Sequence, residues 1–119
     1  MVKKYVKGLY ELLDNLKLIK SKIVKFEIKD FFSGAAAYVD GKIFMTLTPV
    51  GLAIKLPEEI MEKLLKEGKV RKLRYFPKAP IKKDYVVFPK SLTDDLIILR
   101  YFVKMSINNT MNLEKVINK

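Results

Sequence analysis

At 119 residues, half of them apolar, the chain is long enough for one domain and too apolar to stay disordered; a core of that size hides roughly two thirds of the unfolded surface. Cysteine and histidine are both absent, which excludes a disulfide framework, a thiolate zinc site and a histidine base, and leaves carboxylates, Lys, Tyr, Ser and Thr for any chemistry. The 24 basic against 13 acidic side chains give +11 at neutral pH, which suits polyanions, yet abundant Lys without Gln, His or Trp also fits a heat-adapted proteome in which that charge needs no nucleic acid.

In chain order, Val2, Val6, Leu9, Leu13 and Leu16 recur three and four residues apart and paint one apolar stripe on an opening helix. The basic start runs into Glu11 and Asp14 rather than an apolar run, so a signal peptide is not expected and the cytoplasm is. A break near Ile19 precedes alternation over residues 22–29. Val24, Phe26 and Ile28 lie on one face and Lys25, Glu27 and Lys29 on the other, the pattern of a half-buried strand. Asp40-Gly41, between two apolar runs, predicts a two-residue hairpin, because both residues tolerate positive φ. A Pro49-Val50-Gly51 turn and a strand through Leu56 follow. Pro57 suits a first helical turn, and Glu58, Glu59 and Glu62 sit where the helix dipole favours negative charge. Ile60, Met61, Leu64 and Leu65 form the buried face of that helix, and Gly68 stops it. A second hairpin spans about residues 70–88 with a long loop at 76–80. Ser91 and Asp94 read as a capping box for a last long helix ending near Asn108-Asn109, with a short turn over 113–117. No apolar run approaches the ~20 residues of a membrane span: Leu96-Ile97-Ile98-Leu99 is broken at Arg100 and Lys104. The whole reads as one domain, residues 1–119, of α+β class. It is a two-layer antiparallel sheet covered by helices, in the order α-β-β-β-β-α-β-β-α.

Phe32 and Gly34 frame an aromatic-x-Gly segment, and Tyr38, Asp40, Gly41, Lys42 and Phe44 spell Tyr-x-Asp-Gly-Lys-x-Phe; Lys55 ends the strand that follows. This pattern resembles the N-terminal domain of TfoX-like proteins, bacterial regulators of natural competence, over about residues 25–107. Tyr75 matches the aromatic before that family's second hairpin, and Tyr85 with Pro89 matches its Tyr-x-x-x-Pro before the last helix. Ser33 stands where the family has a second glycine, and Ala35, Ala36 and Ala37 where it has a glycine-containing strand. The resemblance implies a stand-alone regulatory module that binds a protein partner, with no catalytic residues and no cofactor.

Read from the residues themselves, Asp40 and Gly41 are turn formers and Gly34 marks a bend or a close backbone approach. The three alanines ask for something packed close, a helix or the occupant of a groove. Tyr38 and Phe44 read as core or cross-strand partners. The segment 69–83 carries Lys69, Arg71, Lys72, Arg74, Lys78, Lys82 and Lys83 with no acidic residue, interleaved with Tyr75 and Phe76 and followed by Tyr85. That is a candidate surface for nucleic acid or another polyanion. A plain solvated hairpin gives the same alternation, with Lys72 and Arg74 outward and Leu73 and Tyr75 inward, and edge lysines discourage aggregation. On the last helix, Leu96, Ile97, Ile98 and Leu99 point in four directions, so it needs either cover from the opening helix or a second copy of the chain, a homodimer. Asp30, Asp40, Glu58, Glu59, Glu62, Asp94 and Asp95 are explained by turns and helix starts, and no glycine-rich phosphate loop occurs. The expectation is a protein that is not an enzyme and holds no metal.

Overall fold

The computed structural model describes residues 3–18 and 25–111. The expectations at Val2, Ile19, Val24 and residues 113–117 fall outside the described residues. Helix α1 (Lys3–Asn15) is followed by strands β1 (Phe26–Phe31), β2 (Gly34–Val39), β3 (Lys42–Thr48) and β4 (Gly51–Lys55). Helix α2 (Glu58–Lys66), strands β5 (Arg71–Leu73) and β6 (Lys82–Phe88), a single turn α3 (Lys90–Thr93) and helix α4 (Leu96–Met111) complete the chain. The strands form one antiparallel sheet in the order β1-β2-β3-β4-β6-β5, so the fold is the expected α+β sheet with helices packed on it.

The hairpin at Asp40-Gly41 forms as its residues dictate, with φ of +48° and +82°, the signs a tight primed turn requires. Asp40 does a second job: its Oδ1 accepts from the Lys25 amide at 2.9 Å, and its own amide donates to the Lys25 carbonyl at 2.8 Å. The turn is thereby clipped to the start of β1. Gly34 is the close approach expected of it. A Cβ there would run into the Leu47 carbonyl oxygen and come within 2.7 Å of Thr48 Cα.

Strand alternation sorts the sheet into two faces. Ala35, Ala37, Val39, Met45, Ile54, Val86 and Phe88 face the helices and meet Leu9 and Leu13 of α1, Met61 and Leu64 of α2, and Leu99, Val103 and Ile107 of α4. Full burial of each larger side chain contributes about 1.5–3 kcal/mol. Ala35 and Ala37 keep β2 flat, so α1 can seat closely on it. Where β2 and β3 slip register at Ala37/Tyr38, the buried Ser106 hydroxyl of α4 donates to the Phe44 carbonyl at 3.1 Å and satisfies it.

Helix α2 starts one residue later than expected, with Pro57 as its cap residue. It ends in a Schellman motif. Gly68 (φ +71°) donates to the Leu65 carbonyl and Lys69 to that of Leu64, both at 3.0 Å. The capping box expected at Ser91 and Asp94 does not open the long helix. The chain makes the separate turn α3, and Asp95 caps α4 instead, its Oδ1 accepting from the Ile97 and Ile98 amides at 3.2 Å each. Helix α4 also runs past Asn108-Asn109 to Met111. No helix among the described residues is long and apolar enough to cross a membrane.

A candidate binding face on the open side of the sheet

The second face of the sheet carries a smaller cluster, Ala53, Leu73 and Val87 with Val50, Tyr75 and Tyr85, and among the described residues no helix contributes to it. Register defines the floor of this face. Lys29 pairs with Ala36, Ala36 with Thr46, Thr46 with Ala53, Ala53 with Val87 and Val87 with Arg71, one row across all the strands. The middle of the row is small and buried, and a cation stands at each end.

Tyr75, from the loop between β5 and β6, lies over that floor. Its hydroxyl is 3.3 Å from Thr46 Oγ1, and its ring packs 5.7 Å from Phe31 and 5.4 Å from Phe32, which themselves stack at 4.5 Å. Phe32 is 75% exposed and adopts a left-handed φ of +49°. An aromatic side chain in that region costs about 1–2 kcal/mol, and an exposed ring gains nothing from burial. The left-handed φ serves the fold, because Phe32-Ser33 is the two-residue turn that brings Phe31 opposite Gly34; the exposure of the ring does not. Phe76 is exposed on the same loop.

Beside this stack, Lys29 Nζ sits 5.2 Å from the Tyr38 ring centroid. Tyr85 pairs across the ladder with Lys55. Burial first, then the nearby Tyr75, Asp84 and Tyr38, hold the Tyr85 hydroxyl protonated well above the ordinary tyrosine range. Burial raises Tyr75 too, partly offset by its hydrogen bond with Thr46. These phenols therefore stay neutral, able to donate and accept, on a face that register gives Lys29 and Lys55 as well as Glu27, with Asp84 near Tyr85.

The residues singled out by the sequence divide between two jobs. Gly34, Asp40 and Gly41 build turns, Phe44 is buried against Phe26 at 6.1 Å, and Lys42 stands exposed at the hairpin tip. Phe32, Tyr38 and Lys55 lie with Tyr75 and Tyr85 on the open side. Lys29, Phe31 and Thr46 complete that face and were not among the candidates. The alternation of residues 26–31 assigns the first two to one side, but nothing local says that Tyr75 arrives there.

The basic segment 69–83 is not one surface. Arg71 Nη2 donates to the Val50 carbonyl at 2.7 Å, Arg74 Nη1 donates to that of Ala79 at 2.9 Å, and Lys69 pairs with Glu67 at 3.3 Å. Lys72, Lys82 and Lys83 line a cleft of about 320 Å³ opposite Glu58 and Glu62 of α2, which offset part of their charge. Lys78 is exposed in the loop. A second cleft of about 460 Å³, at the start of α2, is lined by Lys83, Glu58 and Asp84 and by Lys55, which ends β4 and so borders both this cleft and the open face. On the helical side, Ile97 of α4 is 85% exposed and Tyr101 61%, beside a groove of about 430 Å³ floored by Leu64, Leu92 and Phe102. The turn after α1 reaches α4 at Arg100, whose Nε donates to the Leu16 carbonyl at 2.9 Å.

Comparison with curated proteins finds no match. The family model of the TfoX N-terminal domain matches residues 18–110, which takes in the whole sheet, α2, α3 and nearly all of α4. With the hairpin signature in place and most of its length matched, the chain belongs to the TfoX N-terminal domain family.

Proposed function

We propose that this domain is a non-enzymatic regulatory module of the cytoplasm that works by binding, and that the open face of the sheet is its contact surface for an anionic macromolecule. The observation that carries the reading is the Phe32 ring, held exposed against Tyr75, with Lys29 near Phe31 on β1 and Lys55 at the far end of the same face. The family supports a regulatory role by analogy. The +11 charge supports the sign of the partner. The rival site is the basic hairpin 69–83, and a heparin column separates the two. Lys29→Glu with Lys55→Glu should elute at clearly lower salt than the parent protein, while Lys72→Glu with Lys82→Glu should elute close to the parent allowing for equal charge change. The reverse order would move the site to the hairpin.

The same proposal includes a homodimer through α4. Ile97, Tyr101 and Lys104 form one stripe at helical spacing. In an antiparallel pair of α4 helices crossing at the level of Leu99, Ile97 meets Tyr101 of the second copy, an arrangement that covers the exposed stripe on both copies. The open face of the sheet remains free in such a dimer, because α4 packs on the opposite side.

A further inference from the structure

We infer that the ligand of the open face is single-stranded nucleic acid, its bases stacked on Phe32 and Phe76 and its phosphates met by Lys29 and Lys55. The inference rests on the binding reading above and names the ligand within it. Two properties of the face select this chemistry together. The cations ask for a polyanion, and the exposed rings ask for a flat apolar partner. An acidic peptide satisfies the first and leaves the rings in water. Duplex DNA presents phosphates but keeps its bases enclosed, so the Phe31–Phe32–Tyr75 stack would gain no partner from it. Unpaired nucleotides offer a base plane and a phosphate at each step, and aromatic side chains on a sheet face beside cations are suited to both.

The local geometry fits the same ligand. Phe31 and Tyr75 back the exposed Phe32 ring, so it is held ready rather than folded away, and the turn that strains its backbone also sets it outward. Lys29 lies over the Tyr38 ring on the adjoining part of the face, which leaves its ammonium hydrogens open to a phosphate. The neutral hydroxyls of Tyr75 and Tyr85 add donors and acceptors without adding negative charge.

The test is fluorescence anisotropy with labelled oligo(dT), the matching oligo(rU) and a duplex of the same length, read beside the heparin elution of the same variants. Either single strand should bind at least about tenfold more tightly than the duplex, and whichever of the two binds better identifies DNA or RNA as the source. Phe32→Ala should weaken single-strand binding roughly 5- to 150-fold, the range for loss of one stacked base. Its heparin elution should stay unchanged. Phe76→Ala, on the loop, should act in the same direction and covers the case in which the Phe32 variant folds poorly. Equal affinity for single strand and duplex, or no loss in both phenylalanine variants, overturns the inference. If Lys29→Glu with Lys55→Glu still lowers heparin elution in that case, the open face stands as a polyanion surface of another kind. If it does not, the binding reading fails as well.

Discussion

Gly34 has no room for any other residue. Its missing Cβ is the space into which the Leu47 carbonyl and Thr48 fit, and all of those atoms are backbone or the first atoms of a side chain, which do not yield cheaply. Gly34→Ala should lower stability by at least about 2 kcal/mol in urea unfolding. Gly41→Ala meets no neighbour and only pays for its φ of +82°, so it should cost about 1 kcal/mol. Equal losses at the two positions would mean that β2 and β3 do not approach as described. Phe32 shows the opposite economy. It occupies a conformation that glycine would hold without strain, and it keeps a large ring in water while doing so. The positive φ at Asp40 was legible from its place before Gly41. That at Phe32 was not, because Ser33 and Gly34 mark a turn without showing that the left-handed residue is the aromatic before them.

Among the elements, most strands and helices follow from short-range pattern: alternation for β1, three-four spacing for α1 and α2, the Asp-Gly pair for the hairpin. The start of α4 did not, because Ser91, Asp94 and Asp95 all qualify as caps and only the direction of the chain after α3 selects Asp95. The binding face was legible in part for a similar reason. Period two tells which residues share a side of a strand, but the arrival of Tyr75 over Thr46 depends on the fold of a loop whose carbonyl at Ala79 is held by Arg74. Charge counting likewise identified segment 69–83 without revealing that Val50 and Ala79 already engage its arginines. The exposed stripe of α4 was visible as excess apolarity, and it makes its own prediction. Light scattering should give twice the chain mass for the parent protein, falling to a single chain for Ile97→Lys, whose position is too exposed for the change to disturb the core. A parent protein that stays at single-chain mass at the highest concentrations reached would leave α4 without the second copy.

At the scale of the molecule, the sheet separates two surfaces of different character. One side holds the core and, beyond the helices, an apolar stripe; the other holds an aromatic stack among cations. The +11 charge acts over the whole surface and draws in any polyanion, but at physiological ionic strength its reach is about 8 Å, so the place of binding is decided by local groups. Clefts in which lysines face glutamates contribute little to such attraction, whereas the open face has few acids to oppose it. The most direct test is an amide chemical-shift map of the full chain titrated with a short heparin fragment. Shifts should gather at Lys29, Phe32, Tyr38, Lys55, Tyr75 and Phe76, and leave α2 and α4 unmoved. Shifts confined to Lys72, Lys82 and the facing residues of α2, with the open face silent, would contradict it.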